Sequence, residues 1–211
     1  RAAGSNLTKN IMNVFDAGAR PTSASEARLI SSESGGDPKA MNRFGYAGAF
    51  QYGAPRLAAL GIYTAGESED MQSWSKTQRG DDPGKWTGTF NVPGFPEVKT
   101  VDDFRNNRDA QRAVRNLDYV YMDKEISTGG LDRYVGHNVG GVAITRDGLY
   151  NMIHLGGLGG AKAFLEPGGR ENRSDANGKS IKDYARMGAA RSANGATSAL
   201  GPTIGGVPTD Q

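Results

Sequence analysis

The sequence predicts a mainly α-helical domain with long loops and at most a small β-hairpin. Three observations lead to this fold class. Apolar residues recur with a helical period over several segments, 31 glycines among 211 residues cluster between those segments, and no long run alternates apolar with polar residues. The glycine clusters, at 35–36, 45–53, 129–130, 136–141 and 156–160, are predicted to be shaped loops. In residues 86–96 aromatic residues alternate with others, but glycine and proline interrupt the pattern, so a loop with a short hairpin is expected.

Three helices are predicted in the amino-terminal part of the chain. A short amphipathic helix is expected over residues 6–15. A second begins at the serines near residue 23 and carries Glu33 in its last turn. Pro55 suits the first position of a third helix over residues 56–60, because proline has no N–H to leave unsatisfied there.

The later helices are predicted from apolar period and capping residues. The longest is expected over residues 108–125. Its predicted buried stripe consists of Ala110, Ala113, Val114, Leu117, Val120 and Tyr121. Thr145 is placed to cap the next helix, and Ser180 with Asp183 forms a capping box for a last helix over residues 181–187.

These elements predict one domain over residues 5–187, followed by a flexible linker or tail over residues 188–211. The tail is small, polar and proline-containing, with no apolar period. The alternative is a terminal arm packed on the domain. The chain starts with arginine and shows no signal-peptide pattern, so we expect it to be a piece of a larger polypeptide.

Composition narrows the classes of function. The net charge is +2, and the basic residues are interspersed with acidic ones, so nucleic-acid binding is not indicated. No apolar stretch approaches the ~18 residues of a membrane span. There is no cysteine, so folding does not depend on a redox compartment. The two histidines, His137 and His154, lack the spacing of metal ligands, and neither a metal nor a cofactor is predicted.

Glu33 is the residue on which a functional hypothesis depends. It follows Ala27 and Ile30 at three-residue spacing in the predicted helix, so its carboxylate is expected to face inward. Partial burial and the negative end of the helix dipole both disfavour the charged form of the carboxyl group. Its pKa is therefore expected to be raised, as a general acid requires. The alternative is an ordinary solvated glutamate at a helix end.

Three blocks of sequence, in this order, carry a resemblance to a known family. The first is Glu-Ser-Gly-Gly at residues 33–36. The second has the pattern Gly-x-x-Gly-x-x-Gln and consists of Gly45, Gly48 and Gln51. The third, at residues 153–165, matches loosely, with His154 and Leu155 where the family has tyrosine and asparagine. In order and spacing the chain resembles the lysozyme-like superfamily, specifically the soluble lytic transglycosylase type of peptidoglycan-degrading domain in phage virion proteins.

The resemblance implies cleavage of peptidoglycan glycan strands between N-acetylmuramic acid and N-acetylglucosamine, with Glu33 as acid and base. The implied substrate-binding residues are Gln51, Gly45, Tyr46, Gly48 and His154. His154 is either a hydrogen-bond partner of Glu33 or a histidine satisfied in the core. A hydrolytic lysozyme needs a second carboxylate, and the candidates, Asp37 and Asp175, have no supporting motif. A lytic transglycosylase, in which the 6-hydroxyl of muramic acid attacks and leaves a 1,6-anhydro end, is therefore favoured.

A non-catalytic alternative also stays open. Leu155 in place of asparagine favours a structural or glycan-binding domain of a phage tail or ejection apparatus. Under either hypothesis the expected partners are peptidoglycan strands and other domains of a larger virion polypeptide. The expected location is virion-associated or exported, with action in the bacterial periplasm or cell wall.

The aromatic residues of the central loop permit two interpretations. Trp74, Trp86, Phe90 and Phe95 concentrate in one part of the chain. They form either a surface on which sugar rings stack or a satellite hydrophobic cluster beneath a long loop.

Overall fold

The structure is a computed structural model that describes residues 23–67, 69, 71, 74, 86–175 and 177–189. This part of the chain is mainly α-helical with two small antiparallel sheets of two strands each, which confirms the predicted fold class. The helix predicted over residues 6–15 and nearly all of the predicted tail lie outside the described residues. The division into one domain and a tail therefore stays a prediction.

Helices and short strands succeed one another along the described part of the chain. The helices are α1 (Ser23–Ser34), α2 (Ala54–Ala59), α3 (Val101–Asn106), α4 (Arg108–Thr128), α5 (Arg146–Leu165) and α6 (Ile181–Ala189), with a 3-10 turn at Leu131–Tyr134. The strands are β1 (Tyr63–Thr64), β2 (Thr89–Phe90), β3 (Asn138–Val139) and β4 (Val142–Ala143). The contacts divide the chain into two compact units. The described residues from Ile30 to Tyr121 form the first unit, and those up to Leu29 and from Met122 onward form the second.

Capping residues set helix ends as predicted. A proline occupies the first turn of α2. The Thr145 side chain accepts a hydrogen bond of 3.0 Å from the N–H of Gly148 at the start of α5. At the start of α6, the Ser180 N–H donates to Asp183 Oδ2 at 3.0 Å, and the Asp183 N–H donates to Ser180 Oγ at 3.3 Å. This pair is the predicted capping box. A second capping box, at the start of α3, was not predicted.

In the first unit the strand predicted near residue 90 has an upstream partner. β2 pairs with β1, with Phe90 opposite Tyr63, and does not form a hairpin within residues 86–96. An isolated bridge joins Val92 and Phe95. The Phe104 ring from α3 stacks on Phe90, with ring centroids 5.1 Å apart. Phe90 therefore packs against aromatic rings from two other segments, Tyr63 of β1 and Phe104 of α3.

In the second unit β3 and β4 form a hairpin. Gly140 and Gly141 join the strands with φ values of +58° and +79°. Two consecutive positive φ values suit a two-residue turn, and glycine adopts them without steric cost. The predicted loop at 136–141 is therefore a hairpin turn.

Helices α5 and α6 of the second unit approach each other backbone to backbone. A Cβ atom on Gly188 would lie 2.1 Å from the Gly148 nitrogen, closer than any side chain allows. Gly188 therefore packs directly on α5. It lies within α6, which extends to Ala189, although the predicted helix ended at residue 187. Among the glycine clusters, 156–160 was wrongly predicted as a loop, because it lies within α5.

Gly157 interrupts α5. Its backbone angles, φ +63° and ψ −177°, are non-helical and divide the helix into two segments. This region of backbone space is essentially restricted to glycine. A Cβ atom at Gly157 would meet nothing within 4 Å, so the constraint on this residue is conformational and not steric crowding.

We expect Gly157→Ala and Gly159→Ala to change stability in opposite directions. Gly157→Ala forces a side chain into the strained region and should lower the free energy of unfolding by about 1–3 kcal/mol. Gly159 has helical backbone and open space around it, so alanine there should raise this free energy by about 0.5–1 kcal/mol. Urea denaturation followed by circular dichroism measures both. Equal effects of the two substitutions would contradict this account of the kink.

Candidate active site

Glu33 lies in the last turn of α1 and is partly buried. The predicted alignment with Ala27 is wrong, because Ala27 is exposed. The fully buried residues of α1 are instead Ser25 and Leu29, four positions apart. Glu33 follows Leu29 by another four positions, so it continues the buried row and not the exposed one. Glu33 is partly buried, as expected, but it lies in a row with Ser25 and Leu29 and not with Ala27.

Backbone hydrogen bonds continue from the end of α1 into the segment that follows it. Gly35 has φ +64°, and its N–H donates to the Ser31 carbonyl at 3.1 Å. The Asp37 N–H donates to the Ser34 carbonyl at 3.2 Å, and the Ala40 N–H donates to the Asp37 carbonyl at 3.3 Å. The chain after Glu33 is therefore an ordered series of turns and not a free loop.

The two candidate second carboxylates both stabilise turns. The exposed Asp37 accepts a hydrogen bond of 2.8 Å from the Lys39 N–H through Oδ1. Asp175, in the second unit, accepts from the N–H groups of Asn177 and Lys179 at 2.9 and 2.8 Å. An aspartate that binds the backbone two residues onward is a common turn-forming device. These contacts explain both residues locally, without a role in chemistry.

Residues 45–51, hereafter the glycine loop, contain four of the predicted substrate-binding residues. Gly45 and Gly48 are buried and have φ values of +87° and +83°. The Gly48 N–H donates to the Ala40 carbonyl at 2.8 Å, which attaches the loop to the segment after α1. The structure thus brings Gly45, Tyr46, Gly48 and Gln51 together in one folded loop.

Gln51 holds the glycine loop together from within. It is 8% exposed, and its Nε2 donates to the Gly48 carbonyl at 2.9 Å and to the Ala40 carbonyl at 3.4 Å. Its φ of +49° is unusual for a residue with a side chain. These contacts give Gln51 a structural role in the loop, and its contact with substrate stays a prediction.

A cluster of aromatic side chains supports the glycine loop. The Trp86 indole N–H donates to the Gly45 carbonyl at 2.7 Å, and the rings of Tyr46 and Trp74 meet edge to face with centroids 5.6 Å apart. Trp74 is 1% exposed and Phe90 is fully buried, so these two rings form a hydrophobic cluster and not a surface for sugars. Trp86 is partly exposed.

Glu69 accepts hydrogen bonds from two members of this aromatic cluster. Its carboxylate accepts hydrogen bonds from the Tyr63 hydroxyl at 2.5 Å and from the Trp74 indole N–H at 3.3 Å. It also accepts from the Thr87 N–H at 3.2 Å. Burial and the bond to Glu69 raise the pKa of Tyr63 to about 12, so its hydroxyl stays a donor at neutral pH.

Helix α4 presents a buried polar face that was not predicted. Gln111, Arg115 and Asp118, at i, i+4 and i+7, are at most 1% exposed. Of the predicted apolar stripe, Ala110 and Val114 are buried, whereas the prediction is wrong at Tyr121, which is 41% exposed. The other three residues, Ala113, Leu117 and Val120, are only partly buried. The polar residues Gln111, Arg115 and Asp118 resemble a solvated helix face in the sequence. The structure shows that they bind the glycine loop and the residues that follow it.

Asp118 organises the middle of this polar face. It accepts hydrogen bonds from the Tyr52 hydroxyl at 2.7 Å, from Arg56 Nε at 2.8 Å and from Arg115 at 3.3 Å. The Arg115 guanidinium also lies over the Tyr119 ring, 4.4 Å from its centroid. Burial and the Asp118 carboxylate raise the pKa of Tyr52 well above its ordinary value, so it remains a donor to Asp118.

His154 lies in the second unit, on α5, and is partly exposed. It continues a row of α5 that holds Arg146 and Tyr150 at four-residue spacing. The Tyr150 hydroxyl donates to Asp123 Oδ1 at 2.5 Å, and Arg146 pairs with the same carboxylate at 2.6 Å. Both proposed roles of His154, substrate contact and partner of Glu33, stay predictions.

Neither a metal-binding cluster nor a membrane-spanning helix occurs in the described part of the chain. Within these residues, no three histidine, aspartate or glutamate side chains gather in a way that would hold a metal ion. None of the helices described has the length and apolar character needed to cross a membrane.

Comparison of the chain with protein-family models, curated proteins and solved structures finds no match. The resemblance to lysozyme-like domains therefore rests on the three sequence blocks.

We expect Asp118→Asn to lower the free energy of unfolding by about 3–5 kcal/mol, because it leaves the Arg115 charge buried without its carboxylate. Asp102→Asn is the matched control. It removes an ion pair with Arg105 at the same i, i+3 spacing, but 74% of the Asp102 side chain is exposed. That change should cost at most about 1 kcal/mol. Chemical denaturation measures both, and similar losses would contradict a special role for the buried pair.

The stabilisation that Tyr63 provides should disappear at high pH. The unfolded chain releases this proton near the ordinary pKa of about 10, whereas the folded protein releases it at about 12. The stabilisation is therefore fully present below pH 10 and is lost as the pH rises from 10 through 12. The difference in unfolding free energy between wild type and Tyr63→Phe should shrink over this interval. A difference that stays constant from pH 8 to pH 12 would refute the assignment.

Proposed function

We propose that this chain cleaves peptidoglycan glycan strands between N-acetylmuramic acid and N-acetylglucosamine, with Glu33 as the catalytic acid and base. The observation that supports this most directly is the position of Glu33. It is a partly buried carboxylate in the last turn of α1, and ordered turns connect it to the folded glycine loop. A carboxyl group held beside a folded loop in this way is a candidate general acid.

The proposed reaction has two proton transfers. Glu33 first donates its proton to the bridging oxygen, as the C1–O bond breaks through an oxocarbenium-like transition state. The resulting Glu33 carboxylate then takes the proton of the muramic acid 6-hydroxyl while that oxygen bonds to C1. The products are a 1,6-anhydromuramic end and a new N-acetylglucosamine end. Glu33 is protonated again, and no water is consumed.

The turn contacts of Asp37 favour this route over hydrolysis. Its Oδ1 already accepts from Lys39 N–H in its own turn, and the residue is exposed. A carboxylate that acts as nucleophile or base must instead lie beside the sugar, within about 5–9.5 Å of the acid. We therefore propose a lytic transglycosylase, with a hydrolytic lysozyme as the alternative.

The biological setting that we propose comes from the resemblance alone. The chain would be one domain of a larger virion polypeptide, carried by the phage particle or exported, and would open the cell wall locally from the periplasmic side. Its partners would be the glycan strands and the neighbouring domains of that polypeptide. The small net charge of +2 gives no support to nucleic acid as a partner.

Glu33→Gln should lower the rate of peptidoglycan cleavage by about a hundredfold to ten-thousandfold, the usual contribution of a general acid and base. The assay follows clearing of a suspension of purified peptidoglycan. Glu26→Gln, in the first turn of the same helix, is the matched control and should retain the wild-type rate. Equal clearing by wild type and Glu33→Gln would reject the catalytic role. Binding of peptidoglycan without cleavage by wild type would favour the non-catalytic glycan-binding domain.

Mass spectrometry of the released fragments, together with Asp37→Asn, separates the two reactions. A transglycosylase releases 1,6-anhydro ends, and Asp37→Asn should leave its rate within about twofold because asparagine preserves the turn. Reducing ends, lost on substitution of Asp37, would instead establish a hydrolase that uses Asp37 as the second carboxylate.

A further inference from the structure

We propose that Gln111 is a positioning residue for the glycosidase reaction: its side-chain amide holds the segment after Glu33 and the glycine loop at a fixed distance from each other. This inference rests on the proposed function of Glu33. It concerns a residue of α4 that belongs to none of the three sequence blocks of the resemblance.

Both ends of the Gln111 amide are used. Oε1 accepts a hydrogen bond of 2.8 Å from the Ala49 N–H, in the middle of the glycine loop. Nε2 donates to the Pro38 carbonyl at 3.0 Å, in the segment after α1. The two hydrogens of Nε2 are shared between this carbonyl and those of Phe104 and Arg105, at 2.9 and 3.1 Å, at the end of α3. One side chain, 1% exposed, therefore joins three separate parts of the first unit.

The backbone of the glycine loop packs closely against the Gln111 side chain. A Cβ atom on Gly48 would lie 2.7 Å from Gln111 Oε1, well inside the contact distance of real side chains. A side chain at position 48 would therefore have to displace Gln111 Oε1, the atom that accepts from the neighbouring Ala49 N–H. This contact explains one glycine of the second block without reference to substrate.

The other end of the amide is coupled to Glu33 along the chain. Pro38 lies five residues after Glu33, and the bonds from Asp37 to Ser34 and from Gly35 to Ser31 leave little freedom between them. Arg105 Nε adds a second tie, because it donates to the Lys39 carbonyl at 2.7 Å. Movement of Pro38 would therefore displace the last turn of α1.

Catalysis should depend on this geometry more than binding does. A misplacement of about 1 Å between a catalytic group and its substrate costs on the order of a hundredfold in rate. If the glycine loop binds the sugar and Glu33 donates the proton, loss of Gln111 misaligns the two parts but leaves each one present. The expected consequence is a lower kcat with little change in KM.

The test uses Gln111→Met, which keeps the length of the side chain and removes its polar atoms. We expect kcat for release of 1,6-anhydro ends to fall by about tenfold to a hundredfold, with KM within about threefold. Hydrogen exchange at the Ala49 amide should accelerate, because its acceptor is gone. If Gln111→Met does not fold, Gln111→Asn keeps the amide on a side chain shorter by one methylene, which cannot reach Pro38 and Ala49 together, and should produce the same loss of kcat.

Ser180→Ala is the matched control. It removes the hydrogen bonds between Ser180 and Asp183 that cap α6 in the second unit, and it leaves the hydrogen bonds of Gln111 in place. It should lower the melting temperature while kcat stays within about twofold. If Gln111→Met lowers only the melting temperature, as Ser180→Ala does, the positioning role is overturned and the proposed function stands. A wild-type protein that does not cleave peptidoglycan would overturn both.

Discussion

The candidate site depends on a row of buried polar side chains on α4. Gln111, Arg115 and Asp118 are withdrawn from water almost completely, so each requires partners within the protein. The glycine loop and its continuation provide many of these partners, among them the Ala49 N–H and the Tyr52 hydroxyl. The helix and the loop therefore stabilise one another, and neither arrangement is favourable without the other.

This constraint fixes the backbone that follows Glu33. A glutamate at a helix end ordinarily samples many positions. In this protein the backbone after it passes through hydrogen-bonded turns to Pro38, which Gln111 holds. The same side chain holds Ala49. The segment after Glu33 and the glycine loop are thus both bonded to one side chain, a fixed arrangement of the kind that the proposed acid catalysis would require.

The glycines serve different physical purposes that composition cannot separate. Gly35 ends a helix with a positive φ, and Gly157 divides one. Gly148 and Gly188 allow two helices to touch through their backbones, and Gly48 allows a loop to reach an amide. A glycine-rich sequence suggests loops shaped around a ligand, yet several of these residues are explained by packing.

Local sequence was sufficient for the mainly helical class and for the helix ends at Thr145 and Ser180, because a cap satisfies backbone groups within its own turn. It also placed Glu33 in the last turn of α1. It was not sufficient for the polar face of α4, since Gln111 looks like a solvated residue until a loop 62 positions earlier in the chain is packed against it. Hydrogen bonds between residues so far apart leave no periodic signal in sequence, and only the tertiary structure showed that polar residues of α4 are buried beside its apolar ones.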